Sequence, residues 1–594
     1  MREFLETARA RHVDRWTAAY AVAAWFVVQA ASIALPAFHA PDWGMRLLIV
    51  VAVVGLPVTA IATWFAGRTV VGSGRLSMGA RDWALLGALG VVLVVAGWQI
   101  AVGWEGQDDS RSGPEMPSSA NGSIAVLPFV NTGGAAEKKY FSEGMSDELI
   151  GLLARNPALR VAARTSSYFF EGKNEDVREI ARKLNVRSVL EGSVREDGNR
   201  VRIEVSLINA SDGYQLWSQS YDRELSDILN VQSDIAQAIA QALLPHLVGG
   251  AGAAVSQRAA PIDPAAYRMY LQGEFLFATR SDDGLARALD LFRQVARLAP
   301  DFADGQAALA YDLFIIGARH PEQDVSAEFQ VALQQALRLD ATNPQTLTVA
   351  IFDALRRWDW DALISHAMTL QRSGRHSAVG LHGLATAYNA FSFPEQALVA
   401  ERESQQLDPL SWNVSDSVIR ELLGLGRFDE GATAAKLSLK SFPGDARALG
   451  MLCNSYALGG HLVQAREILR DLSLPGMPDD QRGDCTDAIA LRDGDLAAVR
   501  ASTENLAAHY RENGVEELDV GIAFGQVYEF DRAMDWLERG FEKRQVFFDL
   551  DKAPTLPKGL FATPRWIALT QRPEFAAWRA ARARASLAFF GTRL

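Results

Sequence analysis

The sequence predicts a multi-domain chain: three transmembrane α-helices, a small α/β domain with a mixed sheet, and an all-α repeat solenoid. Three observations carry this reading. Apolar runs long enough to cross a bilayer are confined to residues 17–102. From residue 123, short apolar strands alternate with helical spacing and then give way to period-two alternation. Beyond residue 263 the apolar and small residues recur in helix-pair units, and Pro409 and Pro443 mark one unit by lying 34 residues apart.

At 594 residues the chain is too long for a single core. The formal charge of −12 excludes nucleic acid as a partner class, because phosphate neutralisation requires a basic face. Only two cysteines occur, Cys453 and Cys485, too few for a disulfide framework or a structural zinc. They read as two small buried thiols, with pairing open to them in an oxidising compartment.

Residues 1–104 form the membrane region. Its three runs, about 17–35, 47–65 and 83–102, carry no charged residue and are flanked by Trp16, Trp43, Trp64, Trp83 and Trp104, whose amphipathic rings suit the headgroup level. Arg2, Arg9, Arg11 and Arg15 precede the first run, and Arg68, Arg75 and Arg81 lie between the second and third. Arg46 alone separates the first two, and Glu105, Asp108 and Asp109 follow the third. Basic loops stay in the cytoplasm, so the N-terminus is expected inside and everything after about residue 104 in the periplasm of a bacterial inner-membrane protein. A cleaved signal peptide fits poorly, since the first run is long and two further spans follow it.

Residues 105–122 are rich in Gly, Ser, Pro and acids and read as a flexible linker. The α/β domain is expected over 123–248. SIAVLPF at 123–129 is a buried strand, Met145, Leu149, Leu152 and Leu153 share a helical face, 159–163 is a second strand, and Val177, Ile180, Ala181 and Leu184 repeat the helical spacing. Val201, Ile203, Val205 and Leu207 then alternate with polar residues. Asp197-Gly198-Asn199 and Ser211-Asp212-Gly213 mark hairpins, since Gly and Asn accept positive φ. Ile228, Val231, Ile235, Ile239 and Leu243 close the domain as a helix. The order is βαβα-βββ-α, with helices on one face of the sheet.

The stretches SIAVLPF, YFSEGMSDELIGLLAR, LRVAARTSSYFFEGK, VREIARKLNVRSVLEGSVREDGNRVRI and SLINASDGYQLWSQSYDRELSDIL together resemble the TolB-amino-terminal-like (FlgO-like) domain family of bacteria. The likeness runs almost without gaps over most of the α/β domain. It implies a non-catalytic periplasmic domain placed between a membrane anchor and tetratricopeptide repeats. Members are linked to envelope assembly or to the sensory side of membrane-anchored regulators. Only residues 1–16 precede the first run, so the winged-helix or cyclase domains of some relatives are not expected, and their activities do not carry over.

Residues 249–262 form a second, Gly-rich linker, which lacks the strand-before-helix context of a phosphate loop. Residues 263–594 fit the tetratricopeptide pattern in about seven units, with a C-terminal cap. The repeat positions are Ala288, Phe292 and Pro300, followed by Leu309 and Ala310; Leu384, Ala385, Tyr388, Ala397 and Pro409; and Pro443, Leu452, Cys453, Tyr456 and Ala465. Small residues among them let paired helices approach, and proline ends the second helix. Residues 358–375 and 484–503 fit the pattern poorly. Trp358 and Trp360 read as aromatic filling between repeats rather than as a carbohydrate platform. The tail RAMDWLERGFEKR, followed by FATPRWIALTQRPEFAAW, resembles that of relatives with this architecture and is expected to cap the end of the solenoid.

No Walker A loop, H-E-x-x-H, G-x-S-x-G or kinase motif is present, and residues 123–244 contain no histidine. Glu143, Asp147, Glu148, Arg160, Arg164, Glu191 and Arg195 read as solvated surface or structural pairs. The chain is therefore expected to be no enzyme, with no catalytic residue, cofactor or metal. Its expected partners are the lipid bilayer and periplasmic or envelope proteins, including copies of itself, held on the concave face of the repeats. The alternatives are a transmembrane signalling protein acting on a separate cytoplasmic regulator, and a regulatory subunit of the cyclase-associated type.

Overall fold

The computed structural model of the protein describes residues 122–592, apart from 134–138, 157–158, 174, 244–261, 321–322, 374–375, 475–478, 511–515 and 546–547. The chain divides into two compact units, Met1–Pro117 and Ser118–Leu594. The three expected membrane spans, the first linker and most of the second linker lie outside the described residues. Among the described residues, no helix is long and apolar enough to cross a membrane.

The α/β domain is a six-stranded mixed sheet with the path β3-β1-β4-β5-β6. Its strands are β1 (Ser123–Val126), β2 (Val130–Asn131), β3 (Arg160–Val161), β4 (Ser188–Asp197), β5 (Arg200–Asn209) and β6 (Gln215–Glu224). β1 runs parallel to both β3 and β4, and β2 continues beside β4, Val130 opposite Ser193. β4, β5 and β6 form an antiparallel meander, turned at the two glycine hairpins, where Gly198 and Gly213 take positive φ.

Helices α1 (Lys139–Ala154) and α4 (Ile228–Leu243) cover one face of the sheet. Met145, Leu149, Ile228, Val231, Ile235 and Ile239 join Val201, Ile203, Val205 and Leu207 in one core. Helices on one face alone were expected, and here the structure differs. α2 (Arg164–Tyr168) and α3 (Val177–Leu184) lie on the other face, where Ala125, Phe170, Ile180 and Leu184 form a second, smaller core. The parallel strands therefore have apolar cover on both sides, as parallel sheets require. The outer face of the meander, with Arg200, Arg202 and Glu204, stays exposed.

The remainder is mostly helical, a tetratricopeptide-like solenoid. Among the described residues eight helix pairs follow in order, against about seven expected: α5 (Pro264–Phe277) and α6 (Asp282–Leu298); α7 (Ala303–Arg319) and α8 (Ser326–Leu339); α9 (Pro344–Arg357) and α10 (Trp360–Ser373); α11 (Ala378–Ala390) and α12 (Pro394–Leu407); α13 (Trp412–Gly424) and α14 (Phe428–Ser441); α15 (Ala446–Leu458) and α16 (Leu462–Leu472); α17 (Asp479–Asp493) and α18 (Leu496–His509); α19 (Glu517–Gln526) and α20 (Phe530–Glu542). α21 (Lys558–Phe561), α22 (Pro564–Thr570) and α23 (Pro573–Phe590) end the chain. Helix starts follow from capping: the side chains of Ser281, Asn343, Ser411 and Asp445 accept from the first free backbone N–H groups.

Within each of six successive pairs, the first helix ends in a left-handed residue: Trp358, Ser392, Gly426, Gly460, Gly494 and Tyr528. These lie at a strict spacing of 34. The two stretches that match the repeat pattern poorly, 358–375 and 484–503, nevertheless form repeats in register, because a helix stop in the left-handed region fixes the turn whichever residue supplies it. At most junctions between repeats the first helix packs on the next first helix, and second helices pack on one another less, so the first helices form the inner layer of the curve.

Candidate interaction surface

The solenoid bends around the α/β domain, and the turns between successive repeats are what meet it. Arg155, at the end of α1, reaches Asp304 (3.3 Å) at the start of the second repeat and Asp340 (3.6 Å) at its end. The Ala163 N–H donates to the Leu407 carbonyl (2.7 Å). Ser166 donates to Asp408 Oδ1 from both its backbone N–H (3.0 Å) and its hydroxyl (2.6 Å), and the Leu410 N–H donates to Ser166 Oγ (2.8 Å). Leu410 completes the small core on the second face of the sheet, and Phe169 meets Phe442 edge to face. At the first repeat, α1 lies directly on α5: a Cβ added to Gly144 would stand 2.6 Å from Leu271 Cδ2.

Beneath this joint lies a network of buried ionisable groups. Arg164 binds Asp147 (2.6 Å) and stacks on the Tyr168 ring, whose hydroxyl donates to the Glu143 carbonyl oxygen (2.7 Å). Tyr270 on α5 donates to Glu148 Oε1 (2.7 Å), and Gln232 donates to the Tyr267 hydroxyl (2.5 Å). Glu143 is only 4% exposed. Of the residues read from sequence as solvated surface or structural pairs, Arg164 and Asp147 form such a pair, while Glu143 is buried rather than solvated and Glu148 is covered by Tyr270 of α5.

Desolvation sets their protonation. Burial, reinforced by the Asp304 charge and partly offset by the Tyr270 hydroxyl, pushes Glu148 up to about 8. Burial and Asp147, against Arg164 and Arg280, raise Glu274 to about 7. Burial and Glu274, against Arg280 and Arg293, raise Asp312 to about 7, and neither of its carboxylate oxygens has a hydrogen-bond partner among the described residues.

All three start from ordinary values of 4.5 or 3.8. Between those values and about 8 the folded state holds protons that the unfolded chain has released, so stability falls as pH rises through that window and levels off above it. The unfolding temperature of the full chain is therefore expected to be a few degrees higher at pH 5.5 than at pH 8. Glu148→Gln should flatten that slope, and an unchanged slope would contradict the assignment.

Asp408→Ala is expected to remove about 2–3 kcal/mol from the joint, since the carboxylate takes two hydrogen bonds, one from a backbone N–H left buried by the change. Hydrogen exchange of the Ser166 and Leu410 amides should then accelerate while the solenoid's helical circular dichroism stays unchanged.

The opposite rim of the solenoid, formed by the turns within repeats, is occupied by the chain's own C-terminus. Arg544 donates to the Arg357 carbonyl (2.7 Å), Lys552 to Ser392 Oγ (2.6 Å), and Pro554 sits against Gly426, so three successive turns are crossed in order. Trp358 and Trp360, expected to fill the space between repeats, pack there against Phe541 of α20 and Phe548 of the segment after it. α23 then lies against α10, and Trp578 Nε1–H and Arg582 donate to the carbonyls of Ala390 (2.8 Å) and Phe391 (2.9 Å). The expected terminal cap is therefore a brace that returns to the third and fourth repeats.

Between the two rims the inner helices present half-exposed aromatic and polar groups. Phe314 on α7 stacks on Phe352 of α9 at 5.5 Å, with Arg356 over the Phe314 ring, and Phe352 meets His382 of α11. Burial alone would lower the His382 pKa, but the Glu401 carboxylate at its Nδ1 (2.8 Å) holds it above the ordinary range. Asn389 donates to Glu421 of α13, whose burial raises it to about 7.

The repeat positions chosen from sequence are packing residues. Ala288, Phe292, Leu309, Ala310, Leu384, Ala385, Tyr388, Ala397, Leu452, Cys453 and Ala465 are buried between helices. Phe292 fills the space over Gly273, where a Cβ would come within 2.5 Å of its ring. Tyr456 is half-buried under Lys436, whereas Pro300, Pro409 and Pro443 stand in the turns between repeats. None of them belongs to the inner row, which the sequence reading did not name. The reading of Cys453 and Cys485 as free thiols is corrected: they form a disulfide from α15 to α17, with a Cα–Cα separation of 5.6 Å. The two lie 32 residues apart, two short of the repeat interval, on the first helices of neighbouring repeats, which the packing sets face to face. Among the described residues, no group of three or more His, Cys, Asp or Glu could hold a metal ion.

Residues 119–238, the α/β domain, match the family described as HilA/YgeH-like transcriptional regulator, second domain. A Rhizobium meliloti protein named "Putative adenylate cyclase 3" is 33% identical over 268 residues, covering 43% of this chain and 45% of that protein. The chain thus spans less than half the length of this curated relative. Solved structures with similarity include Pseudomonas aeruginosa pilF (15% identity, 37% of this chain and 95% of that one, TM-score 0.28). They also include the human IFIT1 dimer with PPP-AAAA (14%, 53% and 78%, TM-score 0.31) and the APC/C hetero-tetramer Cut9-Hcn1 (15%, 61% and 66%, TM-score 0.33). The helical-repeat architecture rests on the packing of the helices themselves.

Proposed function

We propose that this protein is a non-catalytic binding scaffold of the bacterial inner membrane, whose α/β domain and solenoid act together as one rigid periplasmic receptor for protein segments. The observation that carries the reading is the row from Phe314 through Phe352 and His382 to Glu421, half-exposed on the inner layer between two rims that the chain itself has closed. Aromatic faces beside cations and carboxylates suit an extended or helical peptide better than a small substrate. The periplasmic placement is supported by the apolar runs of residues 17–102, by the arginine-rich flanks, and by the Cys453–Cys485 bond, which suits an oxidising compartment. The TolB-like resemblance of the α/β domain points the same way.

A photo-crosslinking residue placed in turn at Phe352 and at Val331, an exposed position on a second helix, tests the binding reading in intact cells. Adducts to another protein are expected from Phe352 and not from Val331. No adduct at Phe352, or equal yields at both, would overturn it. A cytoplasmic reporter fused after Trp104 should be inactive, and activity there would remove the periplasmic placement.

A second reading is favoured by two observations: the match of 119–238 to a regulator's second domain, and the relative bearing a cyclase name. In it the same unit senses a ligand and biases a cytoplasmic regulator or cyclase. A regulator or cyclase among the Phe352 adducts or co-purified with the membrane region would select it.

A further inference from the structure

We propose that β6 is where a second copy of this chain joins, two β6 strands pairing antiparallel about a two-fold axis to make one continuous sheet. This goes beyond the binding role of the single chain. The two edges of the sheet are managed differently. β3 is two residues long, and the backbone just beyond it is already bonded, Ala163 N–H to the Leu407 carbonyl. β6 is ten residues long, ends the strand order and pairs only with β5 among the described residues. One full row of its N–H and C=O groups is thus left without a strand partner there.

Bare edges are normally blunted by proline, lysine, inward charges, a bulge that bends the edge away, or brevity. β6 has no proline or lysine, and residues 214–221, YQLWSQSY, carry no charge. The bulge lies in the pairing at Leu207 and Ile208, toward the start of β6. Tyr214 and Leu216 are 75% and 39% exposed.

The sequence of the strand selects its own reverse as occupant. Centred on Gln219, antiparallel pairing sets Trp217 opposite Tyr221 and Ser218 opposite Ser220, and the charged end 222–224 meets the uncharged end 214–216. A parallel in-register copy would instead stack Asp222, Arg223 and Glu224 on themselves, and like charges directly opposite are destabilising. A residue-centred antiparallel register also keeps side chains of the same face together, as a closed, isologous two-fold contact demands.

Ser218 and Ser220 are exposed, so charges are tolerated there by the isolated chain. In the proposed register Ser218→Lys with Ser220→Lys opposes lysine to lysine twice, and the matching double Glu variant opposes glutamate to glutamate. The full-length chain in mild detergent is expected to be dimeric by light scattering, with each double variant weakened about tenfold or more and the circular dichroism unchanged. Mixing the Lys and Glu variants should restore the dimer. A monomeric parent chain, a Lys variant that dimerises as the parent does, or a mixture that stays monomeric would each overturn the proposal. Monomeric parent chain with β6 amides protected from hydrogen exchange would instead show the edge covered by the chain's own connecting segments.

Discussion

Trp578→Ala is expected to cost about 3–5 kcal/mol and to release the C-terminal brace from the solenoid. Trp578 is 6% exposed, stacks on Phe548 at 5.3 Å, and donates its indole N–H to the Ala390 carbonyl. Phe548 in turn contacts Trp358, Trp360 and Phe575, so one deletion opens a cavity at the edge of a cluster of four aromatic rings. The carbonyl of Ala390 also loses its partner at the end of α11. The solenoid should then unfold in two steps rather than one, with α21–α23 becoming the first site of proteolysis. Leu587→Ala, on the exposed side of the same helix, should leave the melting curve within experimental error. An equal loss in both variants would show that α23 contributes only helix content.

The second large effect is expected at Cys453 and Cys485. Their bond closes a loop of 32 residues in sequence, for which the chain-entropy relation gives about 4 kcal/mol. Both side chains are fully buried between α15 and α17, so reductant should act slowly under native conditions and quickly once the sixth and seventh repeats open. Thermal unfolding of the purified chain with and without reductant, beside the Cys453→Ala/Cys485→Ala variant, checks this. The parent is expected to drop to the variant's transition on reduction, and the variant to ignore the reductant. Two free thiols in protein isolated from an oxidising compartment would reject the bond.

Local chemistry was legible where it decides structure within a few tens of residues. The turns at Gly198 and Gly213 and the alternation from Val201 to Leu207 specify the meander, because period two and positive φ admit little else. Small residues such as Ala288 and Ala397 located helix pairs. A further signal runs through Gly426, Gly460 and Gly494, which stand at the repeat interval and are each the left-handed stop between two helices. Trp358, Ser392 and Tyr528 occupy the same stop without glycine.

What the sequence by itself determined is therefore the set of elements: a mixed sheet with its hairpins, a helical array of fixed period, and their order along the chain. The tertiary structure alone decided which polar groups are buried and which helices meet. Asp147 and Glu148 sit on a helix of unremarkable polarity until α5 covers them, more than a hundred residues later. Ser166 finds Asp408, and Trp578 finds Ala390, across separations of 242 and 188 residues. Desolvation and shape complementarity act between surfaces that exist only after each piece has folded, and no residue's own neighbours in sequence carry that information.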